Sequence, residues 1–233
     1  MIGLGDFGER RKLGIVSTDD ERLVLIDPTS EGFFENVLGF NTDNQDIKEF
    51  IEAIEGVKEA KVQPFWKPIY DPSLDDGEVI FKAGNVPAVD YSFNFWKQQA
   101  EKMPTVDGKK WGIGTEDQYY AFLVWLVNSL IERGWTIKDS LSAVVLDSKE
   151  LGHYEDSENA KHDFEATGSR EVCGVYDLAN AFKYLVSTDK NCTLLGAGGA
   201  CREHGDTSPL ASLLYLRSKD SCYINVIGWL VLA

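Results

Sequence analysis

A hydrolase needs a nucleophile paired with a base, and the histidines of this chain offer two candidate pairings. His162 could act as a base for Cys173 as the nucleophile. His153 could act as a base that is oriented by Asp147. No local signature of a hydrolase accompanies either pair. We therefore interpret these histidines, together with His204, as solvent-exposed loop residues, and we predict no catalytic residue.

Four glutamates crowd the polar segment between residues 149 and 170, where their carboxylates could hold a calcium ion. They are Glu150, Glu155, Glu158 and Glu165. Their spacing lacks the alternation of an EF-hand loop, in which every second residue contributes a ligand. The sequence therefore predicts no metal site and no cofactor.

Two glycine-rich segments have the residue types of a phosphate-binding loop. Gly3 to Gly8 matches the GxGxxG pattern, but only two residues precede it, whereas a dinucleotide site needs a strand there. Asp6 would also put negative charge beside the phosphates. The second segment, Gly196 to Gly199, follows a predicted strand but has Cys201 instead of a third glycine. We predict a backbone turn there that brings a strand close to another part of the chain.

The composition indicates a globular, acidic protein. The 233 residues carry a formal net charge of −15 and are 43% hydrophobic, which permits a substantial core. So acidic a surface repels phosphate backbones and anionic lipids, and we expect no nucleic-acid partner and no membrane insertion. No signal peptide is visible, and the longest apolar stretch, residues 119 to 131, is too short to span a bilayer. Surface display would need another export route.

The four cysteines, Cys173, Cys192, Cys201 and Cys222, lie in the last third of the chain and form no CxxC pair. A disulfide between Cys201 and Cys222 is compatible with the sequence. Free thiols are expected, because a long chain with four scattered cysteines is not a disulfide scaffold.

The elements that must position these residues begin with a strand region at residues 13 to 27. An amphipathic helix is predicted over residues 44 to 57, and a strand over Glu78 to Phe81. A boundary near residue 100 separates residues 1–100 from a domain spanning residues 101–233. The N-terminal region is either part of the same domain or a small appended unit.

The strongest local signal is that of a helix from Thr115 to Arg133. Thr115 and Gln118 form a capping box at its start, and its interior is apolar on almost every face, as expected for a core helix. The other predicted elements are a strand at residues 143–146, a second helix at residues 175–186, and strands at residues 193–195 and 226–232. Two helices with short antiparallel strands indicate an α+β fold rather than a doubly wound sheet.

A series of short motifs occupies the C-terminal part of the chain. It consists of Thr167-Gly168-Ser169, Gly174 to Asn180, Gly198-Gly199, Arg217-Ser218 and Ile227-Gly228-Trp229, with Met103-Pro104-Thr105 upstream. This order resembles the C-type-lectin-fold family that includes formylglycine-generating enzymes and the variable proteins of diversity-generating retroelements. The resemblance implies a C-type lectin fold for residues 101–233. The first 100 residues do not share it, which fits a divergent, archaeal subclass.

Formylglycine-generating enzymes in that family bind copper through two cysteines shortly after the Gly-Gly. Here Cys201 could be the first, but Asp206 stands where the second is expected. The triplets that bind calcium in sugar-binding C-type lectins are also absent. The resemblance therefore favours a variable protein that is not an enzyme. The alternative is a formylglycine-generating-enzyme-like or sugar-binding domain of fixed specificity.

Variable proteins display a hypervariable surface made by randomising template adenines, commonly in asparagine codons that never yield Lys, Glu, Gln, Met or Trp. Between Ala200 and Asn225 only Glu203 and Lys219 belong to that set, so both would be invariant. The implied variable region spans about residues 196–232, and its ligand would be a protein or a cell-surface molecule. The predicted contact residues are Cys201, Arg202, His204, Asp206, Ser208, Ser212, Leu214, Tyr215, Arg217, Ser218, Asp220, Ser221, Cys222, Tyr223 and Asn225.

Overall fold

Helices and small antiparallel sheets together give the chain an α+β fold, as the sequence predicts. In a computed structural model, the described residues contain five helices and twelve strands. They are residues 23–148, 151, 171–176, 178, 182–187, 195–201, 206–215, 219–220 and 226–233. The N-terminal glycine motif, the three histidines and the four clustered glutamates lie outside the described residues.

The N-terminal region folds around one amphipathic helix. Its elements are β1 (Leu23–Ile26), α1 (Glu35–Leu38), α2 (Gln45–Ala60) and β2 (Phe65–Pro68). Asn44 caps α2 by accepting a hydrogen bond from the Ile47 amide at 3.0 Å. The residues buried on one face of α2 are Ile47, Phe50, Ile54 and Val57. The helix predicted at residues 44–57 is therefore confirmed, and β1 lies within the predicted strand region.

The next segment links the N-terminal region to the helical layer. Its elements are β3 (Ser73–Asp75), β4 (Glu78–Ile80), α3 (Phe93–Lys102) and β5 (Trp111–Ile113). Strands β3 and β4 form an antiparallel hairpin, which confirms the strand predicted at residues 78–81 except for its last residue. Helix α3 begins after Ser92, whose hydroxyl accepts a hydrogen bond from the Phe95 amide at 3.1 Å. This helix runs through residue 100.

Two helices with capping threonines form the helical layer. They are α4 (Glu116–Glu132) and α5 (Ile137–Val145). The capping box of α4 is confirmed, with both bonds between Thr115 and Gln118 present. The strand predicted at residues 143–146 is wrong, because all but the last of these residues belong to α5. Thr136 caps α5 by accepting from the Asp139 amide at 3.1 Å, and this local start outweighs the strand propensity of two valines.

The second helix predicted at residues 175–186 is also wrong, because this segment forms strands. The C-terminal strands are β6 (Glu171–Val172), β7 (Val175–Tyr176), β8 (Phe182–Leu185), β9 (Leu195–Cys201), β10 (Asp206–Tyr215), β11 (Val226–Gly228) and β12 (Leu230–Leu232). Cys173 and Gly174 join β6 to β7 with φ of 55° and 81°, which cannot continue a right-handed helix. Strand β8 pairs with β9 and β11, and this tertiary pairing determines its structure.

Two four-stranded sheets organise the molecule. The first has the order β1-β2-β12-β5 and the second β10-β9-β8-β11, in which only β8 and β11 are parallel. The turn predicted at Gly196 to Gly199 is wrong, because these residues lie inside β9 with a strand on each side. Glycine is compatible with a strand where neighbouring backbones approach closely. The strand predicted at residues 226–232 is confirmed with a break at Trp229, and of residues 193–195 only Leu195 is described.

Both hydrophobic cores combine residues from the two ends of the chain. One core surrounds α4 and includes Ile26, Phe65 and Trp229. The other includes Leu23, Trp96 and residues of β11 and β12. Residues on either side of position 100 therefore pack together in each core.

Two tryptophans pack directly on glycine backbone where β11 and β12 meet. A Cβ at Gly114 would lie 2.2 Å from the ring of Trp229, and a Cβ at Gly228 would lie 2.6 Å from the ring of Trp96. The Trp229 ring also packs against Phe65, Tyr119 and Phe122. The glycine and the tryptophan of the C-terminal motif thus both make contacts that fix the core.

Substitution of Gly114 tests this packing. We expect Gly114→Ala to lower the free energy of unfolding by about 1–3 kcal/mol, because the added methyl group overpacks the site. Urea denaturation followed by tryptophan fluorescence measures the change. Gly112→Ala is the matched control, since a Cβ at this nearby glycine meets nothing within 4 Å. Equally small losses for both variants would contradict direct packing of Trp229 on Gly114.

Candidate ligand-binding surface

The predicted contact residues that the structure describes lie in the second sheet and just beyond it. Cys201 ends β9, and those in β10 are Asp206, Ser208, Ser212, Leu214 and Tyr215. Asp220 follows β10 and is exposed. The other predicted contacts, Arg202, His204, Arg217, Ser218, Ser221, Cys222, Tyr223 and Asn225, lie outside the described residues.

A large bulge interrupts β10. The ladder with β9 is regular up to Ser208 and resumes at Leu213, so four residues of β10 face a single residue of β9. The bulge therefore consists of residues 209–212, and Ser212 is half-buried within it. The bulge was not predicted from the sequence. Pro209 was the available signal, because proline cannot donate a ladder hydrogen bond.

Leu210 tethers the bulge to the helical layer. Its side chain is 1% exposed. Its amide donates to Ser148 Oγ at 3.0 Å, and its carbonyl accepts from the Tyr119 hydroxyl at 2.9 Å. Burial raises the pKa of Tyr119 above its ordinary value, so this hydroxyl stays protonated and can donate. Tyr119 of α4 and Ser148, which follows α5, thus satisfy both polar groups of the Leu210 backbone.

A groove of about 550 Å³ opens beside the bulge. One wall is the bulge itself, and the other comes from α2, α4 and the end of α5. Asp46 and Glu49 of α2 line the groove, and both are exposed. The rings of Phe50 and Tyr120 line it as well, with their centroids 5.9 Å apart. The groove therefore combines carboxylates with aromatic rings.

The start of α3 contacts the segment that follows β10. The Asn94 amide donates to the Lys219 carbonyl at 3.2 Å, and the Asn94 side chain donates to Asp220 Oδ1. Lys219 Nζ lies 5.7 Å from the centroid of the Phe93 ring, within the range of a cation–π contact. The hydrogen bond between the Asn94 amide and the Lys219 carbonyl joins two backbones, so it does not depend on which side chain occupies position 219.

A buried ion cluster connects one strand of each sheet. Lys67 of β2, Asp71 and Lys183 of β8 are 4%, 3% and 3% exposed. Lys183 Nζ lies 3.8 Å from Asp71 Oδ2, an ion pair too long for a direct hydrogen bond. Lys183 also donates to the Leu178 carbonyl at 2.8 Å. This cluster was not predicted from the sequence, because isolated charges in short strands usually face solvent.

Cys173 is free and buried, which confirms the free-thiol prediction for this residue. Burial raises the pKa of its thiol to about 11, so the thiol is protonated at neutral pH. Cys201 and Asp206 are directly opposite each other in the ladder of β9 and β10. The two positions at which the family resemblance implies copper-binding cysteines are therefore paired across this ladder. Among the described residues, no three His, Cys, Asp or Glu side chains are grouped so that they could hold a metal ion.

No protein-family model matches the chain, and no curated protein matches it. Within the described part of the chain, no helix has the length and apolar character needed to cross a membrane. The motifs of the chain and the geometry of its second sheet are therefore the features from which a function can be inferred.

Removal of the Tyr119 hydroxyl should weaken the tether of the bulge. Tyr119→Phe leaves the buried Leu210 carbonyl without its donor, and we expect the free energy of unfolding to fall by about 1–3 kcal/mol. Chemical denaturation measures the loss. Tyr91→Phe is the control, since Tyr91 is 37% exposed and its hydroxyl can bond to water. If the two substitutions cost the same, the tether does not stabilise the fold.

The pH dependence of stability should report the burial of Asp71. Burial raises the pKa of Asp71 above its ordinary value of 3.8, although Lys183 and Lys67 partly offset this. A carboxyl group whose pKa rises on folding stabilises the fold fully below its unfolded pKa. That contribution is lost as the pH rises through the folded pKa. The stability of the wild type relative to Asp71→Asn, measured by urea unfolding, should therefore fall as the pH is raised from below 3.8. A constant difference would contradict a raised pKa.

Proposed function

We propose that this chain is the variable, ligand-binding protein of a diversity-generating retroelement, with a C-type lectin fold and no enzymatic activity. The observation that carries the proposal is the ordered series of C-terminal motifs, which encloses a segment poor in the residues that randomised asparagine codons cannot yield. The α+β architecture is compatible with this fold. Its ligand would be a protein or a cell-surface molecule.

The different burial of framing and contact residues supports the proposal. Ile227 and Trp229 of the framing motif are 0% and 2% exposed, and Gly228 lies against Trp96. In contrast, Ser212 is half-buried and Asp220 is exposed. A rigid frame that carries exposed residues allows side chains to change without loss of the fold.

Lys219 offers a second line of support. It is one of the two residues between Ala200 and Asn225 that randomised asparagine codons could not produce, so the proposal requires it to be invariant. Its carbonyl accepts from the Asn94 amide, and its ammonium lies over the Phe93 ring. The second contact depends on the lysine side chain, so it provides a structural reason for a fixed residue inside a variable segment.

The DNA around the gene tests the proposal directly. We expect a near-copy of the segment encoding residues 196–232 that differs almost only where the copy has adenine, and a reverse-transcriptase gene beside it. A segment that is uniform across isolates, with neither feature nearby, would rule the proposal out. A domain of fixed specificity would then remain, to be assayed for copper-dependent oxidation and calcium-dependent sugar binding.

Simultaneous substitution of contact positions should leave the fold intact. We expect Ser212→Tyr combined with Asp220→Tyr to change the free energy of unfolding by less than about 1 kcal/mol. Ile227→Ala, within the buried frame, should cost about 2–5 kcal/mol. Chemical denaturation of both variants provides the comparison. A double variant as unstable as Ile227→Ala would contradict a division into frame and contact residues.

A further inference from the structure

We propose that the groove beside the β10 bulge binds the guanidinium group of an arginine side chain presented by a protein ligand. The inference deepens the proposed function, on which it relies for the variability of the bulge and for a protein ligand. The residues that carry this argument all belong to the described part of the chain. The chemistry of the groove can therefore be tested whether or not the bulge varies.

The charge of the groove favours a cation. Asp46 and Glu49 are acidic, and no lysine or arginine is among the described residues that line the groove. Glu49 Oε1 accepts from Gln45 Nε2 at 2.9 Å, which orients the carboxylate and leaves its other oxygen for a ligand. The start of α2 brings about half a positive charge to the same place, less than the two carboxylates supply. The end of α5, at Val145, adds the negative end of a second helix.

The aromatic rings favour arginine over other cations. Phe50 is 4% exposed, whereas Tyr120 is half-buried, and their rings are tilted by 51°. A planar guanidinium can stack on an aromatic ring while its N–H groups donate to a carboxylate. A lysine ammonium is a compact point charge that lacks this planar, bidentate geometry. Phe50 is buried beneath the groove, so Tyr120 provides the ring surface that a ligand can reach. A site built from two carboxylates and this ring therefore matches arginine best.

A bound metal ion fits the groove less well than an organic cation. Calcium requires about six to eight oxygen ligands, most of them from the protein. The groove supplies the carboxylates of Asp46 and Glu49 and the hydroxyl of Ser212, while Val145 and Ala211 give it apolar surface. The volume of about 550 Å³ is ample for a side chain.

The two walls of the groove have different origins in the chain. The acidic and aromatic wall comes from α2, α4 and α5, which precede the proposed variable region. The other wall is the bulge, which includes the contact residue Ser212. All variants of the protein should therefore share a preference for arginine, while the bulge selects the residues that flank it. The net charge of −15 would also speed the approach of a basic partner.

Titration of the full chain with N-acetyl-arginine amide, followed by NMR chemical shifts, tests the site. The variant Asp46→Asn with Glu49→Gln removes both carboxylates, and we expect it to bind the probe about fivefold more weakly than the wild type. Glu52→Gln with Glu55→Gln is the matched control. These glutamates are exposed on the same helix, their substitution changes the net charge equally, and they do not line the groove. Circular dichroism verifies that each variant is folded.

Two further probes identify the cation. N-acetyl-citrulline amide has the shape of the arginine probe without its charge, and it should bind about tenfold more weakly. Citrulline binding as tight as that of arginine would overturn the proposal, as would equally tight binding of N-acetyl-lysine amide. Equal weakening by the two pairs of substitutions would reveal general attraction to an acidic surface and would also overturn it. These outcomes are independent of the gene neighbourhood, so the groove and the variable-protein proposal can fail separately.

Discussion

The packing of the Trp229 indole on the backbone of Gly114 is the constraint on which the rest of the structure depends. The Gly114 amide donates to the Trp229 carbonyl at 2.9 Å, and the Gly114 carbonyl accepts from the Val186 amide at 3.0 Å. Gly114 thus joins Trp229, which separates β11 from β12, to Val186 directly after β8. Because a Cβ at residue 114 would overlap the indole, this junction closes only around glycine. The two sheets are therefore held in one arrangement by a contact at the end of β5.

This arrangement separates the residues that stabilise the fold from those that a ligand can reach. Truncation of a buried aromatic residue such as Trp229 costs about 3–5 kcal/mol, whereas most surface substitutions change stability by about 0.5 kcal/mol or less. The bulge of β10 shows the same separation between residues that stabilise the fold and residues that a ligand can reach. Leu210 is buried with its backbone bonded to Ser148 and Tyr119, so the residues beside it, which line the groove, are not needed to hold the strand. Substitution of Ser212 should therefore change the free energy of unfolding little, whereas substitution of Leu210 should lower it.

The elements that sequence reasoning identified correctly carry local signals. The capping box of α4 and the apolar face of α2 are complete within one helix each, so no tertiary contact is needed to infer them. The strand predicted at residues 143–146 failed because the local cap at Thr136 was overlooked. The other failures occurred where tertiary contacts decide. Residues 182–185 are compatible with a helical or a strand period, and only their pairing with β9 and β11 makes them a strand. The groove could not be inferred at all, because its walls bring Asp46 and Ser212 together from distant parts of the chain.

The buried ion cluster shows how the second sheet keeps its register despite a glycine-rich central strand. Glycine has no side chain to fix its pairing, so β9 alone would specify the alignment of the sheet weakly. Lys183 on the neighbouring strand β8 is held beside Asp71 in the interior. A slip of β8 by one residue would turn Lys183 to the opposite face, where Tyr184 is now buried, and would leave Asp71 without this partner. Leaving one charge of a buried pair without its partner costs about 3–5 kcal/mol, which disfavours the slipped alignment. The cluster adds little net stability when it is intact, but it makes the alternative alignments much less stable.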